Sequence, residues 1–318
     1  MDDVAEVDLI AGTLESLARG EVGEWDSYFH WIEKCVEIDD TKTLFHAHCF
    51  TLDGSKRPRI HALVQFMVAN ILDYAIPRQR ILEAKRHQER TGSSHKMVYL
   101  WLEARQLFTK LAKSGEGGEL LLFLLGERVL KLPQLICKMN LKTATQMHFH
   151  GADGIHVGVS DNNLCLYWGE SKLHSDASQA IRECIDSLSP LLLGNGGLGS
   201  PEERDLQLLR QHMNVDSPEL VDALRGYLDV DDPRYNKLQF RGLCLIGFDS
   251  DAYPTSLNSD ELKDIVEKLR LKIPQWKKLL GKRIKEKGID SFHIHAFYLP
   301  FPSVDVFRLA LKGVLHPV

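Results

Sequence analysis

Asp153, Glu170 and Lys172 are the residues of this 318-residue chain whose types and spacing best suit chemistry. An apolar stretch, Leu164–Trp168, reads as a buried β-strand, and the polar turn Asp161-Asn162-Asn163 joins it to a preceding strand in a β-hairpin. Because side chains alternate along a strand, Glu170 and Lys172 point to the same side. Asp153, at the start of the partner strand, is expected to meet them there.

Two carboxylates and a lysine at the end of a buried sheet cost stability unless a cation is shared between the acids. Mg²⁺ would serve, because it prefers carboxylate oxygens, waters and phosphate oxygens. Such an ion polarises a phosphodiester and lowers the pKa of a bound water, and Lys172 would orient that water or neutralise charge on the phosphate. The alternative is a structural ion pair between Glu170 and Lys172, with Asp153 as a turn residue. Spacing alone leaves both interpretations open.

Asp153 followed by Glu170-Ser171-Lys172 resembles the signature of PD-(D/E)XK nucleases, in which an Asp precedes Glu-X-Lys on the next strand. Ala152 stands in the place of the signature's proline. Three longer blocks resemble one family more specifically, the nuclease subunit of the Hachiman anti-phage system (HamA-type). The blocks are residues 138–143, 151–156 and 168–172. This resemblance covers roughly residues 40–318, with its sharpest motifs between about 115 and 180.

The resemblance implies an α/β fold with a restriction-endonuclease-like PD-(D/E)XK core, in which helices flank a mixed central sheet. It also implies a DNA nuclease that uses Mg²⁺ or Mn²⁺ and acts in a defence complex with a superfamily 2 helicase. Asp153 and Glu170 would then hold the metal, and Lys172 would handle the attacking water. Two alternatives stay open: a catalytically silent scaffold for the helicase, and a nuclease directed at RNA. The sequence has no Walker A pattern, so an ATP-driven step belongs to another chain.

A third acid for the metal site is predicted on the helix before the hairpin. Glu119 begins a strongly apolar helix and shares its face with Leu122 and Phe123, so this acid points toward apolar packing and needs a partner. In the nucleases that the chain resembles, an upstream helical glutamate contributes to the metal site, which makes Glu119 the metal candidate and Glu127 the alternative. An N-terminal acid favoured by the helix dipole is the simpler reading.

Basic residues suggest where a nucleic acid would lie. Lys138 and Lys142, just before the hairpin, are predicted to contact the strand that is cut. A denser cluster between residues 277 and 287 could follow a phosphate backbone, although such a run is usually the solvated face of a helix. Three His-X-His pairs (46/48, 148/150 and 293/295) suggest a zinc site, because alternation along a strand places both imidazoles of a pair on one face. Since no third ligand stands at a matching spacing, we interpret the pairs as polar strand faces.

Composition divides the chain into two regions. Residues 1–95 are predicted to be an acidic, mainly helical accessory region, and residues 96–318 the nuclease domain, with a helical insertion at about 200–235. In the first 40 residues, Leu9, Leu14 and Leu17 and then Trp25, Phe29 and Ile32 recur at helical intervals.

Charge is distributed unevenly along the chain. The first 40 residues carry a net charge of −10, which leaves +5 on the remainder. This acidic segment is either a solvated helix, or a surface that docks a partner or competes with DNA for the basic body. No apolar run approaches the roughly 18 residues of a membrane span, the N-terminus lacks a signal peptide's basic region, and the six cysteines show no metal or disulfide spacing. These features predict a cytoplasmic protein with reduced thiols.

Overall fold

A six-stranded mixed sheet forms the centre of the protein. The computed structural model describes residues 3–21, 23–110, 115–139, 151–194, 200–254 and 260–316. The strands lie in the order β1-β2-β6-β5-β4-β3. Their bounds are β1 Phe29–Glu37, β2 Thr43–Phe50, β3 Gly154–Ser160, β4 Asn163–His174, β5 Leu238–Asp249 and β6 Ile294–Phe301.

The four inner strands are parallel and the outer strand at each edge is antiparallel to its neighbour. Parallel strands are covered on both faces and therefore read as continuous apolar runs. Residues 243–246 of β5 show this, since none of them is exposed to solvent. The expectation of an α/β protein with a mixed sheet flanked by helices is confirmed.

Helices cover both faces of the sheet. The helix α6 packs on one face of β4 and β5, α7 packs on the other, and α10 lies against α7. The bounds are α1 Asp3–Leu17, α2 Ile60–Ala69, α3 Ile71–Ala75, α4 Arg78–Thr91, α5 His95–Lys110, α6 Glu116–Leu124, α7 Ala177–Leu193, α8 Pro201–Gln211, α9 Pro218–Leu228, α10 Leu262–Glu286 and α11 Val304–Leu315. Among the residues described, no helix is both long and apolar enough to span a bilayer.

The prediction of a helix is wrong for the second half of the N-terminal 40 residues. Trp25 lies in a short 3₁₀ turn, and the chain then enters strand β1. Two register shifts in the β1–β2 pairing, one between Trp31 and Glu33 and one between Glu33 and Val36, interrupt the alternation of β1. A bulge adds a residue to one strand, so Phe29 and Ile32 are both buried at a three-residue spacing that mimics a helix.

The strands β1 and β2 precede residue 95 yet belong to the same sheet as the hairpin, because β2 pairs with β6. The predicted division at residue 95 therefore runs through a continuous sheet. The two helices α8 and α9 occupy the region where the insertion is predicted.

Candidate active site

The strand β4 of the hairpin β3–β4 carries Glu170 and Lys172, and Asp153 immediately precedes β3. Asp161 and Asn162 adopt left-handed backbone conformations, with φ of 51° and 58°, as a two-residue hairpin turn requires. Gly154 of β3 lies opposite Gly169 of β4, and the amide of Asp153 donates to the carbonyl of Gly169 at 2.8 Å. Asp153 thus stands at the end of the pairing, beside the backbone of residues 169–171.

The carboxylate of Asp153 is held by Ser171. Its Oδ2 accepts hydrogen bonds from the Ser171 amide and hydroxyl, each at 2.8 Å. Ser171 projects to the face covered by α6, since a Cβ built on Gly118 would lie 3.0 Å from its Oγ. Ser171 stands at the variable position of the Glu-X-Lys motif, so its residue type carries no signal of this role.

Glu170 and Lys172 alternate with Ser171 and so project to the other face of β4. Lys172 Nζ donates to Glu170 Oε2 at 3.1 Å. Glu170 is buried, with 4% of its surface exposed, and Lys172 is half-buried. The structure thus brings Glu170 and Lys172 together as predicted, while the bonds of Asp153 are made to the serine between them.

Electrostatics still couple the three groups. Burial and, after it, the charge of Asp153 raise the pKa of Glu170 to about 8, against the opposing effect of Lys172. Burial lowers the pKa of Lys172, but Glu170 and Asp153 outweigh this and move that pKa above its ordinary value. Lys172 is therefore a cation at neutral pH, suited to balancing negative charge rather than to accepting a proton.

Glu119 is held by a tyrosine that sequence reasoning missed. Tyr74 of α3 donates its hydroxyl to Glu119 Oε2 at 2.9 Å, and both side chains are buried. Burial raises the pKa of Tyr74, and the charges of Glu119 and Asp153 raise it further, so both acids lie near this hydroxyl. The apolar surroundings of Tyr74 in the sequence contain no signal of this contact.

The alternative acid, Glu127, serves the backbone instead. Its two carboxylate oxygens accept the amides of Arg19 at 2.7 Å and Gln134 at 2.9 Å, and the side chain is fully buried. These bonds give Glu127 a structural role in joining the N-terminal segment to the turn before β3.

A cavity of about 620 Å³ opens beside the site. Glu119, Asp153 and Lys172 line it, whereas Glu170 lies buried outside its lining. Arg308 and Lys312 of α11 add positive charge to its wall. Within the described ranges, no group of three or more His, Cys, Asp or Glu is arranged to hold a metal ion.

The structure bears differently on the two lysines that are predicted to bind nucleic acid. Lys138 is buried, and its ammonium donates to the carbonyl of Ala152 at 2.6 Å and to Asp205 Oδ2 at 2.8 Å. With its charge committed to protein partners, Lys138 is not presented to a solvent-borne phosphate. Lys142 lies outside the described residues, and its role stays a prediction.

Lysines of the basic cluster at residues 277–287, most of which lies on α10, form ion pairs with acidic side chains. Lys277 pairs with Glu33, and Lys285 pairs with Asp40 at 2.9 Å. Both acids come from the acidic N-terminal 40 residues, so part of that segment's charge neutralises the basic helix.

Two of the His-X-His histidines, His46 and His48, contradict the interpretation as polar strand faces. Both are buried, and His46 stacks on Phe297 with ring centroids 4.2 Å apart. His46 Nε2 also lies 3.0 Å from His295 Nδ1. Neutral imidazoles pack well among aromatic rings, which explains their burial. The pair at 148 and 150 lies outside the described residues.

Three histidines that the fold keeps neutral, His46, His156 and His295, predict acid sensitivity. Burial lowers the pKa of His46 to about 3, and lowers the pKa values of His156 and His295 to about 4, from an ordinary 6.5. The fold keeps them neutral while the unfolded chain takes up protons, so their contribution to stability is fully present above about pH 6.5 and is lost as the pH falls below it. We expect each of these histidines to lower the free energy of unfolding by about 1 kcal/mol per pH unit as the pH falls from 6.5 to 4.

Thermal unfolding of the metal-free protein between pH 7.5 and 5 measures this loss. The matched control is His61→Gln, which changes an exposed histidine and should leave the slope of Tm against pH unaltered. Because Glu170 titrates in the opposite sense in the metal-free protein, the same scan is made on Glu170→Gln, and a constant Tm of that variant across this interval would contradict neutral burial of the three imidazoles.

Comparison with protein-family models supplies a match over most of the chain. The HamA family model matches residues 26–313, which include both edge strands and the hairpin. Among curated proteins none is similar enough to be matched.

Proposed function

The chain belongs to the HamA family, a component of the Hachiman anti-phage defence system, and from this premise we propose that it is a metal-dependent DNA nuclease of the PD-(D/E)XK type that acts with a superfamily 2 helicase. The observation that carries the proposal is the ion pair of Glu170 and Lys172 on β4, because both groups lie within electrostatic reach of Asp153 at the end of the hairpin. The order of elements supports it: α6 is followed by the antiparallel strands β3 and β4, then by the helices α7, α8 and α9, and then by β5, which is parallel to β4.

The chemistry of the acids fits a hard divalent cation. Glu170 is buried with a pKa of about 8 and lies within reach of the charge of Asp153, so it needs more positive charge than Lys172 provides to ionise fully at neutral pH. Asp153 Oδ1 takes part in neither bond to Ser171. We propose that this oxygen and Glu170 hold Mg²⁺ or Mn²⁺, with Glu119 assisting. When bound, the ion polarises the phosphodiester and lowers the pKa of a water.

The remaining residues position and balance charge. Ser171 fixes the carboxylate of Asp153, and Tyr74 fixes that of Glu119. Lys172, held by Glu170, orients the attacking water and offsets charge that develops on the phosphate. We propose that the DNA backbone enters the cavity beside them, where Arg308 and Lys312 on the wall offset the charge of the carboxylates that line it.

One observation favours the catalytically silent scaffold as a second candidate. The described part of the chain lacks a ready cluster of three metal-ligating side chains, and Asp153 bonds Ser171 rather than sharing a partner with Glu170. In a scaffold, the Glu170–Lys172 pair is structural only.

Cleavage assays separate these functions. The purified chain, alone and co-expressed with the helicase, is incubated with plasmid DNA or single-stranded RNA in Mg²⁺, Mn²⁺ or EDTA. We expect DNA cleavage with either metal and none in EDTA. Cleavage of RNA alone would establish the RNA-directed alternative, and inactivity of both preparations on both substrates would establish the scaffold.

A further inference from the structure

A buried ion pair binds the backbone of Ala152, the residue that precedes Asp153. Asp205 of α8 accepts hydrogen bonds at Oδ2 from Lys138 Nζ at 2.8 Å and from the amide of Ala152 at 3.0 Å. Lys138 Nζ donates in turn to the carbonyl of Ala152 at 2.6 Å. The side chains of Lys138 and Asp205 are only 5% and 2% exposed. Both backbone polar groups of residue 152 are thus bound by one pair of charges.

The neighbouring residues depend on the same contact. A Cβ at Gly151 would lie 2.5 Å from Asp205 Oδ1, so a larger residue at 151 would displace the carboxylate. On the other side, the amide of Asp153 is bonded to Gly169. Residues 151–153 are therefore fixed between α8 and β4. This fixes the backbone position from which the side chain of Asp153 projects.

Stability does not explain this arrangement. Removing two charges from water costs free energy that their attraction only partly returns, and apolar residues of similar size often serve a fold as well or better. What the charges add is a defined backbone position, since each bond is short and directional. That position matters most for a residue whose carboxylate must meet a partner on the next strand.

We propose that Lys138 and Asp205 are positioning residues of the nuclease site, which hold the backbone at 152 so that Asp153 can act together with Glu170. The inference rests on the proposed function. It assigns Lys138 a role inside the protein instead of on DNA, and it makes α8, in the predicted insertion, a part of the site's support. Partners that hold metal-ligating groups commonly change metal affinity or activity by about 10–100-fold when they are removed.

The test replaces the pair by apolar residues of similar length, Lys138→Met with Asp205→Leu. We expect the double variant to unfold within a few degrees of the unaltered chain. We expect its cleavage rate to fall at least about 10-fold, and the Mg²⁺ concentration that half-maximally raises its Tm to increase by a similar factor. The Tm titration is read without DNA and so does not depend on activity.

Controls separate positioning from general damage. Asp205→Asn keeps the shape and loses the charge, and we expect a smaller change in the same direction; it also serves if the double variant does not fold. Asp249→Asn alters a carboxylate that holds the amide of Val304 at 2.6 Å outside the cavity lining, and it should leave the Mg²⁺ midpoint unchanged.

An unaltered Mg²⁺ response and cleavage rate in folded variants would overturn the positioning role while the proposed function stands. If the unaltered chain shows neither cleavage nor a Mg²⁺-dependent Tm, the proposed function fails, and the positioning role fails with it.

Discussion

Lys172→Ala is expected to reduce metal-dependent DNA cleavage by about 10²–10³-fold, which corresponds to a barrier increase of roughly 3–4 kcal/mol. The variant removes the cation that lies 3.1 Å from Glu170 and that would balance charge developing on the phosphate. It also leaves a buried carboxylate next to Asp153 without its countercharge, so the pKa of Glu170 should rise further. Initial rates of supercoiled plasmid loss at saturating Mg²⁺ measure the effect.

Two variants define the role of this lysine. Lys172→Arg keeps the charge but changes the donor geometry, and we expect intermediate activity. Lys85→Ala removes an exposed lysine of α4 that does not line the cavity, and its rate should stay within about twofold of the unaltered chain because salt screens exposed charges. Full activity of Lys172→Ala in a folded protein would exclude this lysine from catalysis.

The hairpin and its motif could be predicted because their determinants are local. The turn at Asp161 and the alternation that pairs Glu170 with Lys172 act over a few residues, and both agree with the structure. Strand β1 could not be predicted in this way. Its bulges produce the spacing of a helix, and its partners lie in β2 and so beyond the local pattern.

The support of the site depends on contacts between distant parts of the chain. Tyr74 precedes Glu119 by 45 residues, and Lys138 precedes Asp205 by 67. A lysine just before the hairpin looks the same in sequence whether its ammonium contacts DNA or a buried carboxylate. Only the fold, which brings α8 against residue 152, distinguishes them.

Metal binding should be visible as stability, since an ion that binds only the folded chain stabilises it. We expect Mg²⁺ to raise the Tm of the unaltered chain by about 5 °C when its concentration is roughly 100 times its Kd, which corresponds to about 2.7 kcal/mol. Glu170→Gln removes a proposed ligand, and it should abolish most of this rise and nearly all DNA cleavage.

Without metal the same substitution should have the opposite effect on stability. The fold raises the pKa of Glu170 from 4.5 to about 8, so the protonated form is favoured and stability is lost as the pH rises through this interval. Glu170→Gln, which stays neutral, should therefore be more stable than the unaltered chain in EDTA, by about 1–2 kcal/mol at pH 7.5 after allowance for its lost pairing with Lys172. The difference should shrink towards pH 5, where glutamate is protonated in the fold.

Urea unfolding measures the free energy of unfolding of both proteins in four conditions, namely EDTA or Mg²⁺ at pH 5 and at pH 7.5. A carboxylate kept for metal binding predicts that the variant is the more stable protein without the ion and gains little from it. A structural Glu170–Lys172 pair predicts the reverse, because removing one partner of a buried pair destabilises the fold whether or not Mg²⁺ is present. The sign of the difference in EDTA at pH 7.5, together with its dependence on Mg²⁺, therefore distinguishes a metal ligand from a structural acid without reference to cleavage.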